Sequence, residues 1–271
     1  SEKVSMINAL LALATAALYG LAAWQITRHL LDKNSSVEIR RPLGLAVAAA
    51  TLHVVLIALV STASGQLTFQ FINAMSMIGW VVASIVLLLS LREPVASLGV
   101  VIFPITGLTA LASALWPASA EPSTLSPGVT IHVVISVVAY GILMVSAAQA
   151  CVLAIQNNRL HARDAGGFVR KLPPLASMET LLFRLIGAGF LILSLALVSG
   201  LTYLDDMFAQ HLVHKTILSL LAWGVFGTLL VGRQLAGWRG RTAVRWTLAG
   251  SAILALAYAG SKFVAEILLG Q

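Results

Sequence analysis

The chain has 271 residues, of which 59% are hydrophobic and 10% charged, where a soluble domain carries about 25% charged residues. Its mean hydropathy is +0.93, which excludes an ordinary soluble enzyme, a disordered chain and a disulfide scaffold. The formal charge of +7 comes from 17 Lys and Arg against 10 Asp and Glu. It is better explained by membrane topology than by a polyanion, so no nucleic-acid partner is expected.

Eight apolar stretches follow one another, at about 5–27, 42–62, 68–91, 95–116, 129–156, 179–200, 212–234 and 242–268. Each is long enough to cross a hydrocarbon layer of about 30 Å. All are expected to be helices, because an open strand edge in lipid leaves backbone groups unpaired. The first stretch lacks a small-residue cleavage site and reads as a span rather than a signal peptide. The expectation is an all-α, polytopic integral membrane bundle of eight transmembrane helices, forming a single transmembrane domain over 1–271.

The loops orient it. Alternate connections hold 13 basic residues, among them Arg28, Arg40, Arg41, Arg92, Arg159, Arg170, Lys171, Arg233, Arg239, Arg241 and Arg245. The intervening loops 63–67, 117–128 and 201–211 contain no Lys or Arg. By the positive-inside rule the basic loops are cytoplasmic. Both termini are then periplasmic or extracellular, and the protein is a multi-pass protein of the bacterial inner membrane. No loop is long enough for a folded domain outside the membrane, and no P-loop, HExxH or GxSxG pattern occurs. Any chemistry belongs within the bundle or at its mouth. Cys151 lies in an apolar stretch and reads as a small core residue.

Six histidines fall at different depths. His29 and His161 lie in the basic loops and read as solvated. His53 is 11 residues into the second span, near the midplane, where an ionisable group faces the bundle interior. It is either a neutral, hydrogen-bonded core residue or a ligand or relay group. His132 enters the fifth span from the outer side. His211 and His214 begin the seventh from the same side, three residues apart and on one helix face. Two neutral imidazoles at matched depth, His132 and His214, can ligate a haem iron axially. With Asp205, Asp206 or Glu121 they could equally hold zinc or copper, and interfacial histidines also occur without ligands. A haem slot needs apolar walls and groups for the propionates. Trp116 and Tyr203 could line it or simply anchor the interface, and Lys215 and Lys262 could meet carboxylates or snorkel. Tyr140 lies two turns below His132 and needs a hydroxyl partner if buried. Trp80 and Trp223 read as packing residues.

Three segments, His214-Lys-Thr-Ile-Leu-Ser-Leu-Leu-Ala-Trp223, Gly237-Trp-Arg-Gly-Arg241 and Tyr258-Ala-Gly-Ser-Lys-Phe263, carry a resemblance. Together they resemble the C-terminal half of the cytochrome c assembly superfamily, in particular its small YpjD/HemX-like branch. Ile131-His132-Val133 with Tyr140 resembles the outer haem-binding histidine region of CcsA-type and CcmC-type proteins. The resemblance is good over about 129–268 and one of arrangement only over the first four spans. It implies a membrane protein that binds or handles haem b near the outer face for cytochrome c biogenesis. It also implies that His132 is an axial ligand and that His53 is a haem-contacting residue. The family's WGxxWxWD segment is missing. His214 stands where the family has an aspartate, so His214 or His211 is left to supply the second axial ligand. The partners implied are haem, membrane lipid and another inner membrane protein of haem delivery or transport. The competing reading is a cofactor-free accessory or regulatory membrane protein, for a transporter or for haem biosynthesis, that keeps only the fold. A small transporter is a third reading, weakened by the sparse mid-membrane polar set of His53, Thr106, Tyr140 and Ser194.

Overall fold

The computed structural model describes residues 2–32, 39–62, 71–116, 126–162, 166–203 and 210–260. They form eight α-helices: α1 Glu2–Leu31, α2 Arg40–Thr62, α3 Phe71–Leu89, α4 Gly99–Leu115, α5 Pro127–His161, α6 Leu175–Tyr203, α7 Gln210–Ala236 and α8 Arg241–Ala255. Short 3-10 turns precede α4 (Ala96–Leu98) and α6 (Gly167–Lys171), and a π-turn, Leu256–Gly260, continues α8. Seven helices among the described residues are long and apolar enough to cross a membrane. The chain is therefore an all-α, multi-span membrane bundle. The expected eighth span, 242–268, runs beyond the described residues.

The chain divides into two compact units, Ser1–Thr124 with Ala165–Leu172, and Leu125–Asp164 with Pro173–Gln271. In the first, each helix packs on its chain neighbours and α1 closes the ring against α4. The second repeats the plan, with α5 closing on α8. No sequence repeat announces this shared connectivity. Large apolar side chains on the outer faces, such as Leu10, Leu108, Leu195 and Val231, stay exposed. That pattern suits a solvent as apolar as the side chains themselves, in which small residues make the helix contacts. At Gly107 of α4 an added Cβ would stand 3.1 Å from the Ala16 Cα of α1, so that crossing depends on the glycine. Cys151, expected in the core, is instead exposed: the α5 face it occupies points away from the other helices of its unit.

The first unit has a polar interior. His53 is fully buried, and its Nε2 pairs with the Ser76 hydroxyl at 2.8 Å. Ser113 of α4 donates to the Ala110 carbonyl at 2.9 Å, and its oxygen lies 3.3 Å from the Ser76 hydroxyl. Tyr19 of α1 stacks on Phe103, with ring centroids 5.7 Å apart, and meets the His53 ring edge-on at 6.0 Å. Each of the four helices thus contributes a side chain to one buried cluster. His53 Nδ1 and the Tyr19 hydroxyl are buried without a hydrogen-bond partner among the described residues. Such an orphan costs about 1–3 kcal/mol. Tyr19→Phe, which deletes the hydroxyl and keeps the ring, should therefore leave stability unchanged or raise it by up to about 1 kcal/mol. Thermal unfolding in detergent reads this directly, and a loss of stability would mean that the hydroxyl is satisfied after all. Trp80 donates to the Ala50 carbonyl at 2.9 Å, as a packing residue does. Lys171 donates to the carbonyls of His29 and Asp32 and so caps the end of α1 with a cation.

Candidate functional site

The second unit is registered by side chains that bond to the facing backbone. Gln149 of α5, buried, donates to the Met178 carbonyl of α6 at 3.1 Å. Gln156 donates to the Pro173 carbonyl at 2.9 Å. Seventeen residues before Gln149, the His132 ring meets the Ala196 carbonyl, eighteen residues after Met178, at 3.0 Å. Nearly equal steps in opposite directions define an antiparallel pair, pinned at two levels about 26 Å apart.

The bond at His132 also fixes its chemistry. A carbonyl only accepts, so His132 Nδ1 carries the proton and donates it to Ala196. The Ser199 hydroxyl, 3.0 Å from the same nitrogen, donates its own proton to the Ala196 carbonyl at 2.8 Å. It therefore accepts from the imidazole. Nε2 is left as the lone-pair nitrogen, on a half-buried ring. An Nδ1–H held by a carbonyl is the arrangement that orients metal-ligating histidines and makes them more basic ligands.

Around His132 the poorly charged end of the unit is assembled from α5, α6 and α7. Gly128, one turn before His132, receives the Tyr203 ring so closely that a Cβ there would lie 2.5 Å from it. Tyr140, two turns below, faces α7 and α8: its hydroxyl pairs with Ser219, and its ring meets Tyr258 edge-on at 5.9 Å. Tyr258 sits in the π-turn, a local widening that is frequent at functional sites. Lys215 of α7 is half-buried. The side chains of His211 and His214 lie outside the described residues, although their backbone belongs to α7. Lys262, Glu121, Asp205 and Asp206 also lie outside them. In the helix ring of this unit α5 and α7 stand on a diagonal, each packed against α6 and α8. Among the described residues no three His, Cys, Asp or Glu side chains converge as a metal site. Trp116, in the first unit, is 63% exposed after the last turn of α4. His53, in the same unit, is held by Ser76. Trp223 donates to Ser194 at 2.8 Å and stacks on Phe190 with centroids 5.2 Å apart.

The sequence profile of the family described as cytochrome C assembly protein matches residues 41–269. The chain belongs to this family. Inner membrane protein YpjD of Escherichia coli K12 is 31% identical over 270 residues, which cover 97% of this chain and 99% of the relative. An uncharacterised 28.8 kDa protein of Azospirillum brasilense is 34% identical over 149 residues, 54% of this chain and 55% of its own. The cytochrome c biogenesis protein CcsA of Gloeobacter violaceus is 26% identical over 104 residues, 38% of this chain and 31% of that protein. No solved structure matches. Like YpjD, this family member is a multi-pass inner-membrane protein.

The segment Gly237-Trp-Arg-Gly-Arg241 is the turn joining α7 to α8, and it holds a residue that sequence reasoning missed. Glu179 of α6 is buried, 7% exposed. Its Oε1 accepts the Gly240 N–H at 2.9 Å and Arg233 Nη1 at 3.3 Å, and its Oε2 lies 3.9 Å from Arg239 Nε. Gly240 has φ +56, in the region that favours glycine. Trp238 folds back over Gly232, where a Cβ would lie 2.4 Å from the indole. Two glycines and one carboxylate thus shape the turn. The available signal was an acid opening an apolar span at the basic end of a chain with only 10 acidic residues.

Proposed function

We propose that this protein binds and presents haem b at the poorly charged, outer end of its second unit, with His132 Nε2 as an axial ligand. The observation that carries the reading is the donation of His132 Nδ1–H to the Ala196 carbonyl, which leaves the other nitrogen ready for iron. Haem, when bound, would supply an iron that takes imidazole nitrogens as ligands. The residues suit such a group: His214, or His211 one turn earlier, would give the second imidazole from the diagonal helix. Lys215 and Lys262 would meet the propionates, and the Tyr140 and Tyr258 rings would lie beneath the group. His53 is a structural member of the first unit in this scheme. The arrangement offers binding and release rather than turnover. Family membership, together with relatives named for cytochrome c biogenesis, supports a role in that process beside another inner-membrane protein. Eight spans with both termini outside complete the proposed topology.

The alternative is a cofactor-free accessory protein that retains only the fold. The Tyr203 ring favours it, since it already covers Gly128 one turn from His132. An absorption spectrum with pyridine haemochrome analysis of mildly purified protein, expressed with ample haem, separates the two. Stoichiometric b-type haem supports the first reading, and its absence selects the second.

A further inference from the structure

At the opposite end of the second unit, α5, α6 and α8 enclose a cleft of about 400 Å³. Its floor is apolar, from Leu153, Leu175 and Val244, and its polar rim carries Asn157, Arg241 and Arg245. Glu179 is also in the wall, but Arg233, Arg239 and the Gly240 N–H already counter its charge. Arg241 and Arg245 are one turn apart on the first turns of α8, and neither has a carboxylate or hydrogen-bond partner among the described residues. Two guanidinium groups without a partner among the described residues, an amide and the positive end of a helix therefore face one cavity with an apolar floor.

We infer that this cleft binds a phosphate-bearing anionic group, and that its usual source is the headgroup of an anionic phospholipid in the cytoplasmic leaflet. Guanidinium forks match phosphate oxygens in pairs, and the apolar floor would take the glycerol and first acyl carbons. Basic pockets between helices at the cytoplasmic face recognise headgroups in this way. The inference does not draw on the haem reading, since the cleft lies at the other end of the unit.

The test compares wild type, Arg241→Gln/Arg245→Gln and the charge-matched control Arg92→Gln/Arg170→Gln, all as full chains in neutral detergent. Each is titrated with phosphatidylglycerol, with phosphatidylcholine and with inorganic phosphate. Lipid adducts in native mass spectra and the shift in Tm are the two readouts. Phosphatidylglycerol should bind wild type and the control saturably and the double variant roughly 30-fold more weakly, a factor that corresponds to about 2 kcal/mol. An Arg241→Lys/Arg245→Lys variant should fall between, having charge without the fork. A matching shift with inorganic phosphate, also lost in the double variant, would keep the site and make soluble phosphate its source. Equal binding by wild type and double variant, an equal loss in the control, or equal binding of phosphatidylcholine would overturn the inference.

Discussion

His132→Ala combined with His214→Ala is expected to abolish a low-spin, bis-imidazole haem spectrum in the purified protein. His132→Ala alone should lower haem occupancy at least tenfold, because one imidazole cannot hold the iron in its six-coordinate form. Ser199→Ala is a finer probe. It removes one of two acceptors of the His132 Nδ1 proton and leaves the Ala196 carbonyl in place. Loss of a partner behind a metal ligand costs about 10–100-fold in metal affinity, so this variant should fall at the low end of that range with the spectral type unchanged. His211→Ala separates the two candidates on α7: whichever histidine supplies the second ligand will convert the spectrum when removed. An unaltered spectrum in His132→Ala would end the role assigned to that residue, even if haem were present.

The spans were legible because hydropathy reports what lipid requires. Seven of the expected stretches overlap the seven apolar helices of the structure. The helices outrun the stretches where polar residues remain helical beyond the hydrocarbon. α5 continues through Asn157, Asn158 and Arg159 to His161, residues that hydropathy discounts and backbone hydrogen bonding does not. His132 was legible as a candidate from its depth, but its tautomer was not. The proton on Nδ1 depends on Ala196, 64 residues away, and on the α5–α6 register that Gln149 and Gln156 help to set. The cluster around His53 was half legible. A buried histidine needs a partner, yet Ser76 and Ser113 look like any small span residues, and Tyr19 enters only because α1 closes on α4. The two-unit plan left no trace in the sequence, since the same helix connectivity can be built from unrelated apolar residues. Glu179 was passed over because the motif that completes its site lies about 60 residues later and gives no sign of its partner until the α7–α8 turn is folded.

Glu179→Ala should destabilise the protein by about 2–4 kcal/mol, the largest loss expected from any one change at the basic end. The ion pair alone would not justify that figure, because its Arg233 partner is one-third exposed and such pairs contribute little. The cost comes from what truncation leaves behind. The Gly240 N–H loses its acceptor in a half-buried turn, and Arg233, stacked over the Phe183 ring at 4.4 Å, loses its counter-charge. Glu179→Gln keeps an oxygen for Gly240 and gives up the charge, so it should cost about half as much. Gly240→Ala tests the same turn from the backbone. No atom lies within 4 Å of the added Cβ, so its cost, about 1–3 kcal/mol, is conformational. Because both changes act on the turn that the bond between Glu179 and Gly240 holds, the double variant should lose less than the two single losses together. Denaturant titration in detergent measures all four. Strict additivity, or a Glu179→Ala variant within about 0.5 kcal/mol of wild type, would show that the Gly-Trp-Arg-Gly-Arg turn holds its shape without the carboxylate beneath it.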